Sequence, residues 1–268
     1  MSYYGIRNFG LEASLGKVTG YSTVNKFGKA TDCDNGIPTD IWDGADGATS
    51  TDIWVPPTAA RVHTIVSSSD VDSDAGGSVA QGAGARTVRI SYLPDWDTAE
   101  TTADVVLDGT TGVTMPAAVM IHRMRVLTWG ANGVNAGIIK ATAATDTTIT
   151  AMIAIGENQT QMCIYGIPST QKLRVGRMRC DIVSGLGQTR DLDGEVLFMP
   201  DPATNAATNT AWVHKEHFTS VESNAPWIRD YGDTPKKFDG PGILKLQVST
   251  NTNDTAVIAT FDGWLVTT

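Results

Sequence analysis

Thr87-Val88-Arg89-Ile90-Ser91-Tyr92-Leu93 decides the fold class. Val88, Ile90 and Tyr92 fall on one side of an extended chain, and Arg89 and Ser91 on the other. Successive side chains of a strand point to opposite faces, so this alternation predicts a half-buried β-strand. The same period recurs from about residue 60 to the C-terminus. In Met120 to Leu127, Met120, His122, Met124 and Val126 share a face, with Arg123 and Arg125 opposite. Between Leu173 and Ile182 the phase shifts at Gly176, which predicts a β-bulge. Leu244, Leu246 and Val248 form a further strand, and Val257, Phe261 and Leu265 the last. Asp-Gly pairs begin at Asp43, Asp46, Asp108, Asp193, Asp239 and Asp262, a chemistry suited to tight turns. No dozen-residue window carries helical periodicity with caps. The expected fold is all-β: an antiparallel β-sandwich, jelly-roll-like, over residues 61–268.

The first sixty residues read differently, being rich in glycine, asparagine and aspartate. Asp-Ile-Trp occurs twice, at Asp40 to Trp42 and Asp52 to Trp54, so a hairpin could bring Trp42 and Trp54 together. Two readings stand: an extended N-terminal arm that packs along the sandwich or reaches a neighbouring subunit, or first hairpins of the same sheet. On the arm reading Trp42 and Trp54 are interaction residues, and deleting residues 1–60 would leave the sandwich folded.

Composition narrows the function classes. Apolar residues make up 41% of the 268 residues, enough to fill a core, while only 18% are charged, below the usual quarter or so. Threonine, serine, asparagine, glycine and alanine make up the rest, a surface suited to close packing against other subunits. The net charge of −9 carries no footprint for a phosphate backbone, so nucleic-acid binding is not expected. Cys33, Cys163 and Cys180 form an odd set without a CxxC pair, which favours folding in a reducing cytoplasm over a disulfide framework. No apolar run reaches the ~20 residues of a membrane span, and the N-terminus lacks the apolar stretch of a signal peptide. No membrane partner is expected.

Catalytic motifs are missing. There is no G-x-S-x-G elbow, and His63 and His122 lie within strand patterns, where satisfaction by a neighbour is the ordinary role. His214, Glu216 and His217 are close in sequence, yet a zinc site would need another ligand from elsewhere. Asp70, Asp72 and Asp74 are candidate metal ligands on alternating residues. Read as a calcium loop from Asp70, however, the glycine and glutamate positions hold Ala75 and Gln81. A solvated hairpin tip is the plainer reading. Trp96, Trp129 or Trp227 could stack on sugars if exposed, although core packing is the commoner use of tryptophan. The chain is expected to be no enzyme and to need no cofactor.

Several motifs carry a resemblance. Gly5-Ile-Arg-Asn-Phe-Gly10, then Gly16 to Gly20, then Thr23-Val-Asn-Lys-Phe-Gly28 lead into Asp40-Ile-Trp-Asp-Gly44. Further on, Ala154-Ile-Gly-Glu-Asn-Gln-Thr160 is followed by Met162 to Pro168. In this order they resemble uncharacterised virion structural proteins of tailed bacteriophages, many from marine hosts. The motifs cover about half of the chain, and residues 181–240 match poorly and read as an insertion. The resemblance implies a virion component assembled in the host bacterial cytoplasm. A capsid decoration or cement protein stabilising capsomer contacts leads, with the major capsid protein or other virion proteins as partners and a homo-oligomer, a trimer by preference. The alternatives are a neck or tail component (adaptor, collar or fibre subunit) and a receptor- or glycan-binding virion protein.

Overall fold

The computed structural model describes residues 9–45, 52–183, 190–220 and 226–268. A short helix α1 (Phe9–Ser14) precedes β1 (Tyr21–Cys33) and the two-residue β2 (Thr39–Asp40). Then come β3 (Arg61–Ser67), β4 (Ala85–Leu93), β5 (Thr101–Val106), β6 (Val113–Ala118), β7 (Met120–Trp129), β8 (Ile139–Ala143) and β9 (Ile149–Ile153). After these lie β10 (Ile164–Ile167), β11 (Gln171–Val183), β12 (Leu192–Pro200) and a helical turn α2 (Pro202–Asn205). The chain finishes with β13 (Val213–Ser220), β14 (Trp227–Asp230), β15 (Lys236–Asp239), β16 (Gly242–Thr250) and β17 (Thr255–Thr267).

The fold is all-β, and every strand pairing between these elements is antiparallel. Thr87 to Leu93 lies in β4, where Val88, Ile90 and Tyr92 are buried as the alternation requires. In β11 the register slips between Val175 and Arg177, which places the bulge at Gly176. Asp108-Gly109 is a turn, with Gly109 at φ +60°. Asp193-Gly194 and Asp262-Gly263, expected as turns, instead lie within β12 and β17. There the glycines make room: a Cβ on Gly194 would sit 2.4 Å from the Phe218 ring, and one on Gly263 would sit 2.3 Å from the Arg174 carbonyl oxygen.

The described strands form four sheets, where a single jelly roll would have two. One runs β1-β17-β11-β14 with β15 also on β11; another runs β10-β16-β12-β13 with β2 on β16. These two share a core that includes Val175, Met178, Phe261 and Ala259 from the first and Ile164, Leu246, Val196 and Phe198 from the second. The remaining sheets, β6-β3-β8-β9 and β5-β4-β7, close over a separate core around Ile65, Val88, Ile90, Met124 and Ile139. The cause lies in the chain's path: the strands from β3 to β9 form sheets only with one another. They interrupt an outer body built from β1, β2 and β10 to β17.

That path also decides the first sixty residues. β1 is no free arm: it pairs with the last strand from Tyr21↔Val266 to Cys33↔Thr255. Deleting residues 1–60 would remove a strand whose Val24, Ala30 and Cys33 belong to the outer core. The 181–240 stretch supplies β12, an interior strand between β16 and β13; its residues 184–189 and 221–225 lie outside the described residues. Among the described residues no helix is long and apolar enough to cross a membrane.

Candidate functional site

The two cores meet where distant motifs converge. On β1 the inward positions are Val24, Lys26, Gly28 and Ala30. Gly28 is needed because a Cβ there would lie 2.4 Å from the Cys163 backbone nitrogen and 2.5 Å from the Ile41 carbonyl oxygen. The Cys163 N–H donates to the Ile41 carbonyl at 2.9 Å, the Lys29 N–H to the Gln161 carbonyl at 3.3 Å, and Trp42 bridges Met162. The Gln161 N–H donates to Asp43 Oδ2 at 2.8 Å. Upstream, the Thr160 N–H donates to the Met124 carbonyl at 2.9 Å and the Val126 N–H meets Asn158 O at 2.8 Å, which ties the segment to β7. Asn158, at φ +60°, and Asn135 each accept the other's backbone N–H through their side-chain oxygens, at 3.0 and 2.9 Å. Residues 40–44 and 154–168 are therefore hydrogen-bonded to one another, and β1 joins them through the Lys29 N–H and the close backbone approach of Gly28.

Beside this junction a cleft of about 490 Å³ opens between β1, β7 and β10. The Lys26 ammonium, 4% exposed, donates to the His122 carbonyl oxygen. Burial, with the Arg123 charge as the second cause, brings its pKa down to about 7. His122, 2% exposed, faces Glu100 Oε2 through Nδ1 at 2.5 Å, and its ring stacks on Tyr165 at 4.1 Å between centroids. Its Nε2 lies 3.2 Å from the Gly166 N–H and 3.0 Å from the Gly166 carbonyl. A proton on Nδ1 shared with Glu100 leaves Nε2 to accept from that N–H. Burial lowers the imidazole pKa, against the raising effect of Glu100. Burial alone would raise the Glu100 carboxyl, but its bond to His122 and the nearby cations hold it below the ordinary value. Arg123 donates from Nη2 to the Asn25 carbonyl at 3.0 Å and lies 5.3 Å over the Phe27 ring. Burial pushes the Cys163 thiol up to about 12, so it stays protonated at neutral pH.

His122 was visible in the sequence as an inward strand residue. Lys26 carried a signal too, since it occupies an inward position between Val24 and Gly28. Glu100, Arg123 and Tyr165 gave none, because only the fold brings them to β1.

The residues singled out by sequence go elsewhere. Trp42 and Trp54 do share one apolar cluster, but at 2% and 0% exposure they present no face to another chain. Trp54 Nε1 donates to the Thr150 carbonyl at 2.9 Å, which pins the segment to the interrupting unit. This corrects their expected role as interaction residues: the apolar area of two indoles is worth more in the core than in solvent. Asp70, Asp72 and Asp74 do not converge. Asp70 accepts from Thr110 Oγ1 at 2.6 Å, and Asp74 from the Ala75 N–H and Gln81, both at 2.8 Å. Asp72 is fully buried and accepts from the Ala85, Ala136 and Gly137 N–H groups and from Ser67, all within 2.8 Å. His214 pairs with Glu195 and His217 with Asp193, while Glu216 turns to Lys236 and Tyr231. Among the described residues no group of three or more His, Cys, Asp or Glu could hold a metal ion. Of the tryptophans considered for sugar stacking, Trp96 is buried, Trp227 stacks on Phe218 at 3.9 Å, and Trp129 is half exposed.

No family model and no curated protein matches the chain. A solved structure described as that of infectious bursal disease virus Gx strain aligns with 92% of this chain and 71% of its own at 10% identity and a TM-score of 0.21. A likeness at that level carries no argument.

Proposed function

We propose that this chain is a structural component of a tailed-phage virion, and specifically a capsid decoration or cement protein that stabilises contacts between capsomers. One observation carries the reading. Three of the segments that bear the resemblance to phage virion proteins, around residues 23–28, 40–44 and 154–168, meet at the junction between the two cores; Gly16 to Gly20 lies ahead of β1, and residues 5–8 lie outside the described residues. Their resemblance is thus to a scaffold: a glycine that lets backbones touch, a carboxylate on a backbone N–H, an asparagine clasp. No reaction is assigned to them.

Each pair of sheets over a common core reads as a β-sandwich, so the subunit offers two sandwiches to its neighbours. Broad, weakly charged faces suit clamping, where area and complementarity count more than a pocket. Copies are placed about a closed axis, a trimer by preference, with the major capsid protein as partner.

Immunogold labelling of purified virions with an antibody to this chain tests the reading. Gold spread over the head is the expected result. Gold confined to neck or tail would move the chain to the adaptor, collar or fibre class. Particles without label, and without a band for the chain in their protein gel, would overturn the virion assignment.

A further inference from the structure

We propose that the cleft between β1, β7 and β10 binds a small hydroxylated carboxylic acid, as an acidic monosaccharide presents, with the carboxylate against Lys26 and Arg123. This goes beyond the structural role and does not depend on it.

Two cations at the cleft, buried Lys26 and partly buried Arg123, keep N–H donors unused. Lys26 lines the cleft and spends one of its three N–H groups on the His122 carbonyl. Arg123 lines it too, with its Nη2 bonded to the Asn25 carbonyl. Glu100 is committed to His122, whose imidazole pKa burial holds below the ordinary value. Below the Lys26 pKa of about 7 the described lining of the cleft holds two cations against one carboxylate, and one anion from a ligand closes the balance. A buried charge without a counter-charge is costly, and it recovers the most when one arrives.

The rest of the lining selects the ligand's body. Ser22, Thr23, Asn25, Ser91 and Gln171 bring hydroxyl and amide groups, while Val24 and Leu265 bring apolar surface. Ser91 is the cross-strand partner of Arg123 and also lines the cleft. A space of about 490 Å³ is within the range of small-molecule sites and exceeds what a bare inorganic anion fills. Several hydroxyls around one carboxylate match this mixture.

The titration of Lys26 supplies a signature. The groups facing it are Arg123, which with burial lowers its pKa to about 7, and Cys163 and Glu100, which raise it; the His122 carbonyl accepts from its amine. A bound carboxylate favours the charged ammonium, so affinity falls as pH rises through the free-state value, by about tenfold per unit at most.

Isothermal titration with D-galacturonate, with D-galactose and inorganic phosphate as comparisons, tests the site on the full chain at pH 6 and pH 9. Galacturonate is expected to bind, at least tenfold more tightly than galactose or phosphate and more weakly at pH 9. Lys26→Met should abolish binding, and Arg123→Gln, a partly exposed position that the fold tolerates more easily, should weaken it about tenfold. In the unaltered protein, the NMR titration of the Lys26 side chain should shift upward by about one unit when galacturonate is added. Absence of galacturonate binding at pH 6, equal binding of galactose, binding of phosphate as tight as that of the sugar acid, or an unmoved Lys26 titration would each overturn the proposal.

Discussion

Among the described residues two lysines, Lys26 and Lys245, are buried, and their surroundings differ. Lys245 is 1% exposed and meets Asp40 Oδ2 at 2.7 Å. Asp40 also accepts from Gln247 Nε2 and the Trp54 N–H, both at 2.8 Å, and the Lys245 ammonium lies 4.2 Å from the centre of the Trp212 ring. Lys26 is nearly as buried but donates to a backbone carbonyl, with the like charge of Arg123 nearby. The first charge is closed by the protein itself. The second is left open, and its pKa falls toward neutrality. Burial alone therefore does not distinguish a structural pin from a site; the count of partners does. Asp72, with four donors on its two oxygens, belongs with Asp40 among the pins.

The largest effect is expected where this contrast is sharpest. Asp40→Ala leaves the Lys245 ammonium buried without its carboxylate, a change that costs about 3–5 kcal/mol when a buried pair is broken from one side. Lys26→Met removes an amine that the fold never fully compensated, and it should alter stability by about 1 kcal/mol or less. Urea denaturation of the two variants measures both. Equal losses would erase the distinction between closed and open charges.

Much of the fold could be read from the chain, because period two survives wherever one face of a strand is buried. β4, β7, β11 and β17 all show it, as does the bulge at Gly176. β16 shows it at Leu244, Leu246 and Val248, yet Gly242 to Leu246 is buried on both faces, flanked by β10 and β12, so Lys245 lies inside where the alternation puts it outside. Division into four sheets was not legible, since it depends on pairings such as Tyr21↔Val266, far apart in sequence. The cleft was legible in fragments only. Lys26 and His122 stand at inward positions of their strands, but no local pattern links them to Glu100 or Tyr165.

A middle-sized effect tests whether the junction is rigid. Gly28 approaches backbone atoms of both Cys163 and Ile41, and backbone cannot rotate aside as a side chain can. Gly28→Ala should cost about 1–3 kcal/mol, the usual penalty for overpacking, and should lower the thermal midpoint. A variant as stable as the parent would show that the junction yields, and would weaken the case that these motifs mark a scaffold.

The effect that is smallest per step is the pH profile that the junction writes into stability, gentle over any single pH unit. Asp43 is buried there, and burial, helped by the Glu157 charge, raises its carboxyl to about 7 against the Gln161 N–H bond. Between its ordinary value near 3.8 and about 7, the folded state holds a proton that the unfolded chain has lost, so Asp43 makes stability fall as pH rises. Lys26 acts above that window. Between about 7 and 10.5 the unfolded chain holds a proton that the folded state lacks, so stability rises with pH. His122, with its imidazole pKa lowered by burial, opposes Asp43 below pH 6.5, which makes the acid arm the shallower one. Together these groups place a local minimum near neutrality, with a slope of at most about 1.4 kcal/mol per pH unit for each proton. Denaturation midpoints from pH 5 to about 8.5 separate the arms for the parent, Asp43→Asn and Lys26→Met. That window lies below the range where the buried Cys33, Cys163 and Cys180 thiols, held protonated by burial, reverse the slope. The aspartate variant should lose the fall between pH 5 and 7, and the lysine variant the rise above 7. A rise that survives in Lys26→Met would place the uncompensated base elsewhere, and Lys26 would then rank with Lys245 as a closed structural charge.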